Sequence, residues 1–228
     1  MENIFTVAEF CLYHTDVTQK IDTTHHARKL FESNQLSLES SNLILPISET
    51  KFPEKPQLLA PREMPRRKLN SPTGKAAFFH ALAHIEFVAI YLAWDMLYRF
   101  RGLPEKFYQD WLQVADEEAL HFSLIRKHLL KMGVDYGDLP AHRGLWEHAE
   151  DTADSILARL AIVPRCMEAR GLDITPQMIE KFKTQGDEES VQLLSRILED
   201  EVGHVKIGSY WFKTICQQHG LNYQETYK

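Results

Sequence analysis

The sequence predicts an all-α protein, an antiparallel bundle of four long helices preceded by a short helical extension and a proline-rich arm. Three observations predict it. Apolar residues recur three, four and seven positions apart over four long segments, the spacing that places them on one helix face. Glycine or proline closes each of those segments. No stretch alternates apolar and polar residues as a half-buried strand would. A chain of 228 residues is long enough to bury one sizeable core. The expected organisation is an N-terminal helical segment and arm over 1–72, the bundle over 73–220 and a tail over 221–228.

Residues 1 to about 40 read as one or two short amphipathic helices. Between Ser40 and Pro72, six prolines at 46, 53, 56, 61, 65 and 72 exclude long regular structure, so this stretch either packs as an extended arm or stays mobile. Segment one runs from about Thr73 to Phe100 and stops at Gly102 and Pro104. Segment two runs from about Glu105 to Lys131 and stops at Gly133. Segment three spans roughly Trp146 to Ala169, kinked at Pro164 and closed by "RGLDITP". A short helix near Pro176 to Thr184 leads into segment four, about Asp187 to His219, closed by Gly220.

The bulk properties exclude several classes. A net charge of −6 and a pI near 6.0 give no general attraction for nucleic acid. Three scattered cysteines with no CxxC spacing make neither a disulfide framework nor a zinc module. Glu2 and Glu9 stand where a leader peptide is basic, and no uninterrupted apolar run of spanning length is evident, so a cytoplasmic location without a membrane partner is expected. Arg62, Arg66, Arg67 and Lys68 cluster in the arm. Such a charge run is first a solvated surface and second a seat for an anionic substrate or RNA.

The inward faces carry chemistry that a bundle core does not need. On segment two the face reads Trp111, Val114, Ala115, Glu118, His121, Phe122, Ile125, Leu129. On segment four it reads Leu194, Ile197, Leu198, Glu201, His204, Val205, Gly208, Phe212. Each is an apolar stripe broken by Glu-x-x-His. Segment one contributes a single acid, Glu86, and segment three a single acid, Glu168.

Burying an ionised carboxylate without compensation costs several kcal/mol, and four converging in one interior would repel one another. Two divalent or trivalent cations resolve this, and carboxylate oxygens with imidazole nitrogens suit iron or manganese. Spacing supports convergence: Glu86 precedes Glu118 by 32 positions and Glu168 precedes Glu201 by 33, one helical hairpin in each case. Glu86, Glu118, His121, Glu168, Glu201 and His204 are therefore the predicted ligands of two metal ions, iron first and manganese second.

Glu … Glu-x-x-His … Glu … Glu-x-x-His across four helices is the di-iron carboxylate pattern of ferritin-like bundles, and the chain resembles that superfamily. "HALAHIEFVAI", "WLQVADEEALHF", "VPRCMEARGLDITP" and "ILEDEVGHVKIG" resemble more closely a bacterial ferritin-like family catalogued as a domain of unknown function. The likeness covers about Pro61 to Gly220. It extends distantly to MiaE-type tRNA hydroxylases, multicomponent monooxygenases and ribonucleotide reductase small subunits. In the monooxygenases an acid beside the ligand glutamate hydrogen-bonds a ligand histidine. The resemblance assigns that role here to Glu117 and Asp200; the other reading is that both are solvated or paired with Arg or Lys.

The resemblance implies dioxygen-dependent oxidation of a small organic substrate, with an electron-donor protein and oligomerisation as further expectations. The alternatives are ferroxidase or metal handling without an organic substrate, and a bundle that the metal merely holds together. Ile125 stands where the reductase subunits carry their radical tyrosine, and Leu172 where the monooxygenases usually carry threonine. His80 and His84 lie off the Glu86 stripe and read as packed or hydrogen-bonded. Arg165, one turn before Glu168, reads as a surface ion pair or as a neutraliser of nearby acids.

Overall fold

Ser71 and Pro72 begin a long apolar helix. The Ser71 hydroxyl accepts from the amide of Gly74 at 3.0 Å, and Pro72 occupies the first turn, where its missing N–H costs nothing. A computed structural model describes residues 1–40, 42–65, 69 and 71–227; Arg66, Arg67 and Lys68 of the basic arm lie outside the described residues. The chain is all-α. Its helices are α1 (Ile4–Tyr13), α2 (Val17–Glu32), α3 (Pro72–Arg99), α4 (Glu105–Lys131), α5 (Gly144–Asp151), α6 (Ile156–Ile162), α7 (Ala169–Thr184), α8 (Glu188–Gln218) and α9 (Tyr223–Thr226), with a π-helical turn at Val163–Glu168. A two-residue parallel pairing of β1 (Glu2–Asn3) with β2 (Leu36–Ser37) is the one small sheet among the described residues. Two compact units divide the chain, Met1–Glu150 and Asp151–Lys228.

In the first unit α3 and α4 pack as a hairpin, and Gly102, at φ +72°, makes the turn that reverses the chain. From Glu86 to Tyr98 every residue of α3 is buried. A helix apolar on all sides needs cover on all sides. Here α1 packs on α3 and α2 on α4. Among the described residues α3 has the length and composition of a membrane span, with mean hydropathy 1.6 over its best window and 72% of that window buried inside the protein. Glu86 and Asp95 interrupt the run, so no uninterrupted apolar stretch of that length exists, but they do not lower its average below that of a span. The burial marks α3 as a core helix.

The proline-rich arm packs as an extended strap. Tyr91 donates to the Lys51 carbonyl at 2.9 Å, and Phe52 stacks on Tyr91 with ring centroids 4.4 Å apart. Further along, Leu59 and Ala141 pair backbone to backbone at 2.8 Å. Lys20 secures the start of the unit. Its buried ammonium reaches the carbonyl of Cys11 and, at 3.0 Å, that of His14, groups that the end of α1 leaves without helical partners. It also lies 4.1 Å from the Tyr91 ring.

The second unit departs from the expected single kinked helix. Helix α5 ends at Asp151, and Ser155 then caps α6 by accepting from the Ala158 amide at 3.2 Å. Pro164 lacks the amide that would continue α6, and its ring crowds the carbonyl four residues back, so the chain widens into the π turn. The predicted stop at "RGLDITP" is absent, because α7 runs through Pro176 to Thr184. An interior proline costs on the order of 3 kcal/mol, and packing of α7 along α8 offsets it. Glycine at 208 lets α8 approach the π turn: a Cβ there would meet Cβ and Cγ of Pro164.

Two predictions follow from this packing. Substituting Gly208→Ala forces a methyl group against a rigid ring and lowers stability by about 1–3 kcal/mol. Gly203→Ala, with open space around it, raises stability by about 0.5–1 kcal/mol through helix propensity; urea melts of both variants decide. The second concerns pH. Burial pulls Lys20 down from 10.5 to about 8, so the unfolded chain binds the extra proton above pH 8 and stability rises with pH there. Burial pushes the Cys11 thiol up from 9.0 to about 12, which opposes that gain above pH 9. The urea midpoint therefore climbs from about pH 8 to 9 and then levels, whereas Cys11→Ala keeps climbing to about pH 10. Lys20→Met loses the climb.

Candidate metal centre

Helical periodicity brings the first three predicted ligands together inside one hairpin. Glu86 faces inward from α3, with Glu118 and His121, one turn apart, facing it from α4. All three are buried, Glu86 at 4% exposure. His121 Nδ1 lies 3.3 Å from Glu86 Oε2 and 3.6 Å from Glu118 Oε2. One donor atom from each of the three lies within 4.8 Å of the other two, a spacing that a single cation can span.

The electrostatics register the crowding. Burial, and then the Glu118 charge, hold the Glu86 carboxyl well above the usual carboxylate range, with His121 pulling the other way. For His121 burial works against the charged form, yet hydrogen bonds and charges from Glu118 and Glu86 outweigh it and push the imidazole up to about 11. Without a cation, the cluster tolerates its carboxylates by retaining protons. A metal ion supplies the same neutralisation and fits a donor set of two carboxylates and an imidazole.

The second unit holds the same chemistry. Glu168 ends the π turn, and α8 presents Glu201 and His204 one turn apart. His204 is fully buried, with Nδ1 3.4 Å from Glu201 Oε1. One donor from each of Glu168, Glu201 and His204 again lies within 4.8 Å of the others. Each unit thus assembles one Glu plus Glu-x-x-His.

Across 13–228 the chain matches the family described as "Protein of unknown function (DUF455)". It belongs to that family. It is also similar to an "Uncharacterized protein" of Haemophilus influenzae, 48% identical over 178 residues, which covers 75% of this chain and 62% of the relative. The chain therefore spans less than two thirds of that relative's length. No solved structure matches.

In this family member the residues beside the ligands take several partners. Glu117 accepts from Gln113 Nε2 at 2.9 Å, and Asp200 accepts from Arg196 Nε at 3.0 Å. His80 and His84 are hydrogen-bonded, as expected off the stripe. His80 Nε2 accepts from the Gly137 amide at 2.9 Å, while His84 bonds the Tyr136 hydroxyl at 3.0 Å and the His142 carbonyl at 3.1 Å. Tyr136 was not foreseen. Its ring closes an aromatic wall with Phe87 and Phe122, centroids 5.2 and 4.9 Å away, and these two directly follow the candidate ligands Glu86 and His121. The sequence signal was an aromatic residue inside the turn-forming run "VDYGDLP".

Glu86→Gln separates a metal centre from a structural cluster. A carboxyl held protonated by its surroundings is close in shape and charge to an amide. The metal-free protein should keep its stability to within about 1 kcal/mol. The stabilisation that added metal gives, about 2.7 kcal/mol at a hundredfold excess over Kd, should disappear. Thermal melts with chelator and with manganese check both.

Proposed function

We propose that the chain is a dinuclear metal protein of the ferritin-like, di-iron carboxylate type, with its ligands drawn from the two Glu and Glu-x-x-His sets. On this reading the chain is an oxidoreductase that uses dioxygen to oxidise a small organic substrate, with iron as the first metal and manganese as the second. The observation that carries the reading is the recurrence of one Glu plus Glu-x-x-His donor set in each unit, buried throughout in the first and at His204 in the second. A single Glu-x-x-His is common on helix surfaces. Two of them, each facing a further inward carboxylate from another element, are a costly arrangement without cations.

When bound, the metal pair supplies redox equivalents and open coordination positions for dioxygen. The remaining work falls to the chain's own residues. Glu86, Glu118, Glu168 and Glu201 supply negative oxygen donors, and His121 and His204 turn Nδ1 toward the carboxylates of their own units, so Nδ1 is the ligating atom. Phe87, Phe122 and Tyr136 exclude water from one side of the first set. Ile125, fully buried, offers no side chain for one-electron oxidation. The electrons and the organic substrate come from partners outside the chain.

Elemental analysis of protein purified without chelators tests the reading. About two iron or manganese ions per chain are expected of a dinuclear protein, and Glu118→Ala and Glu201→Ala should each lose metal. Dioxygen uptake after reduction should appear in the loaded wild type and vanish in both variants. A metal-free protein of equal stability overturns the proposal. Loaded protein without dioxygen uptake restricts it to metal handling.

A further inference from the structure

Arg165 sits on the π turn three residues before Glu168. Its guanidinium lies beside two aromatic rings, 4.3 Å from the centroid of Phe212 and 4.0 Å from that of Tyr227. Those rings meet edge to face at 5.9 Å. The Tyr227 hydroxyl donates to the backbone carbonyl of Arg165 at 3.4 Å. Nη1 is buried without a hydrogen-bond partner, and the surface ion pair expected from the sequence is absent among the described residues.

The guanidinium gains from both aromatic contacts, which also restrain its orientation. Its in-plane N–H groups form a fork that matches an oxyanion, and a buried donor left unmatched costs about 1–3 kcal/mol. We propose that Arg165 is an anion-binding residue that takes a carboxylate or phosphate oxyanion of a small acidic ligand. The Tyr227 ring beside the guanidinium is 43% exposed, so an incoming oxyanion competes with one long hydrogen bond and one ring contact. Because Glu168 is three residues away, the same anion is a handle for holding substrate near the Glu168 donor set. That last step rests on the metal-centre reading, whereas the anion site does not.

Calorimetric titration of chelator-treated protein with inorganic phosphate and, separately, with succinate at constant ionic strength tests the site. Saturable binding of at least one anion is expected. Arg165→Met, which keeps an apolar side chain beside the rings, should weaken it at least tenfold, and Arg165→Lys should weaken it less. Binding of phosphate alone assigns a phosphorylated ligand, and binding of succinate alone a carboxylate. In the wild type, the NMR signal of the Arg165 Nε–H should shift on saturation, which keeps the test decisive if a variant fails to fold. Absence of saturable binding by both anions, or equal binding by Arg165→Met, overturns the proposal. Chelation makes the result independent of metal content, so the metal reading stands or falls on the elemental analysis alone.

Discussion

Negative oxygen does not belong inside a helical core, and the arrangement of this protein follows from putting it there. Glu86 and Glu118 face each other across a hairpin whose surroundings are Phe87, Ile90, Phe122 and Ile125, all buried. Such surroundings raise the cost of each charge and equally raise the attraction of any cation that arrives. The same apolar packing that would destabilise a bare carboxylate therefore gives a metal site its affinity. His121 moderates the balance, because its imidazole accepts a proton or a cation according to what is present.

Holding these groups in place requires two different local solutions. In the first unit the donors stand on regular α-helix, and precision comes from bulk: rings pack around α3, and the N-terminal helices and arm close its outer side. In the second unit one donor stands on a π turn. Pro164 opens that turn, and Gly208 allows α8 to lie against it. Regular helix fixes direction through its own hydrogen bonds. A widened turn has weaker internal ties and depends on what touches it, here the Phe212 and Tyr227 rings about Arg165 and the proline against α8.

Much of this was legible in the sequence, because helix periodicity is a local property. The bounds of α3, α4 and α8 and the Glu-x-x-His pairs of α4 and α8 follow from apolar stripes and from caps such as Ser71 and Asp187. The hairpin separation of Glu86 and Glu118 was readable from a count of residues. What was not legible depends on tertiary packing. Nothing in "RGLDITP" says that a helix will run through Pro176, since the packing that sustains it comes from α8. The all-round burial of α3 was hidden because its cover comes from α1 and the arm, distant in sequence. The partners Gln113 of Glu117 and Arg196 of Asp200 were within one turn and readable, yet spacing alone did not choose between them and the histidines.

The order of elements along the chain has a consequence for biosynthesis. Helix α3 in isolation has the length and apolarity that insertion machinery recognises as a membrane segment. A ribosome delivers α1, α2 and the arm before it, and α4 only a few residues after it. By the time α3 emerges, the segments that cover its outer side are already outside the tunnel. Moving those N-terminal helices behind α3, as a circular permutation would, lets the apolar rod emerge before its cover, and targeting to the bilayer then competes with folding.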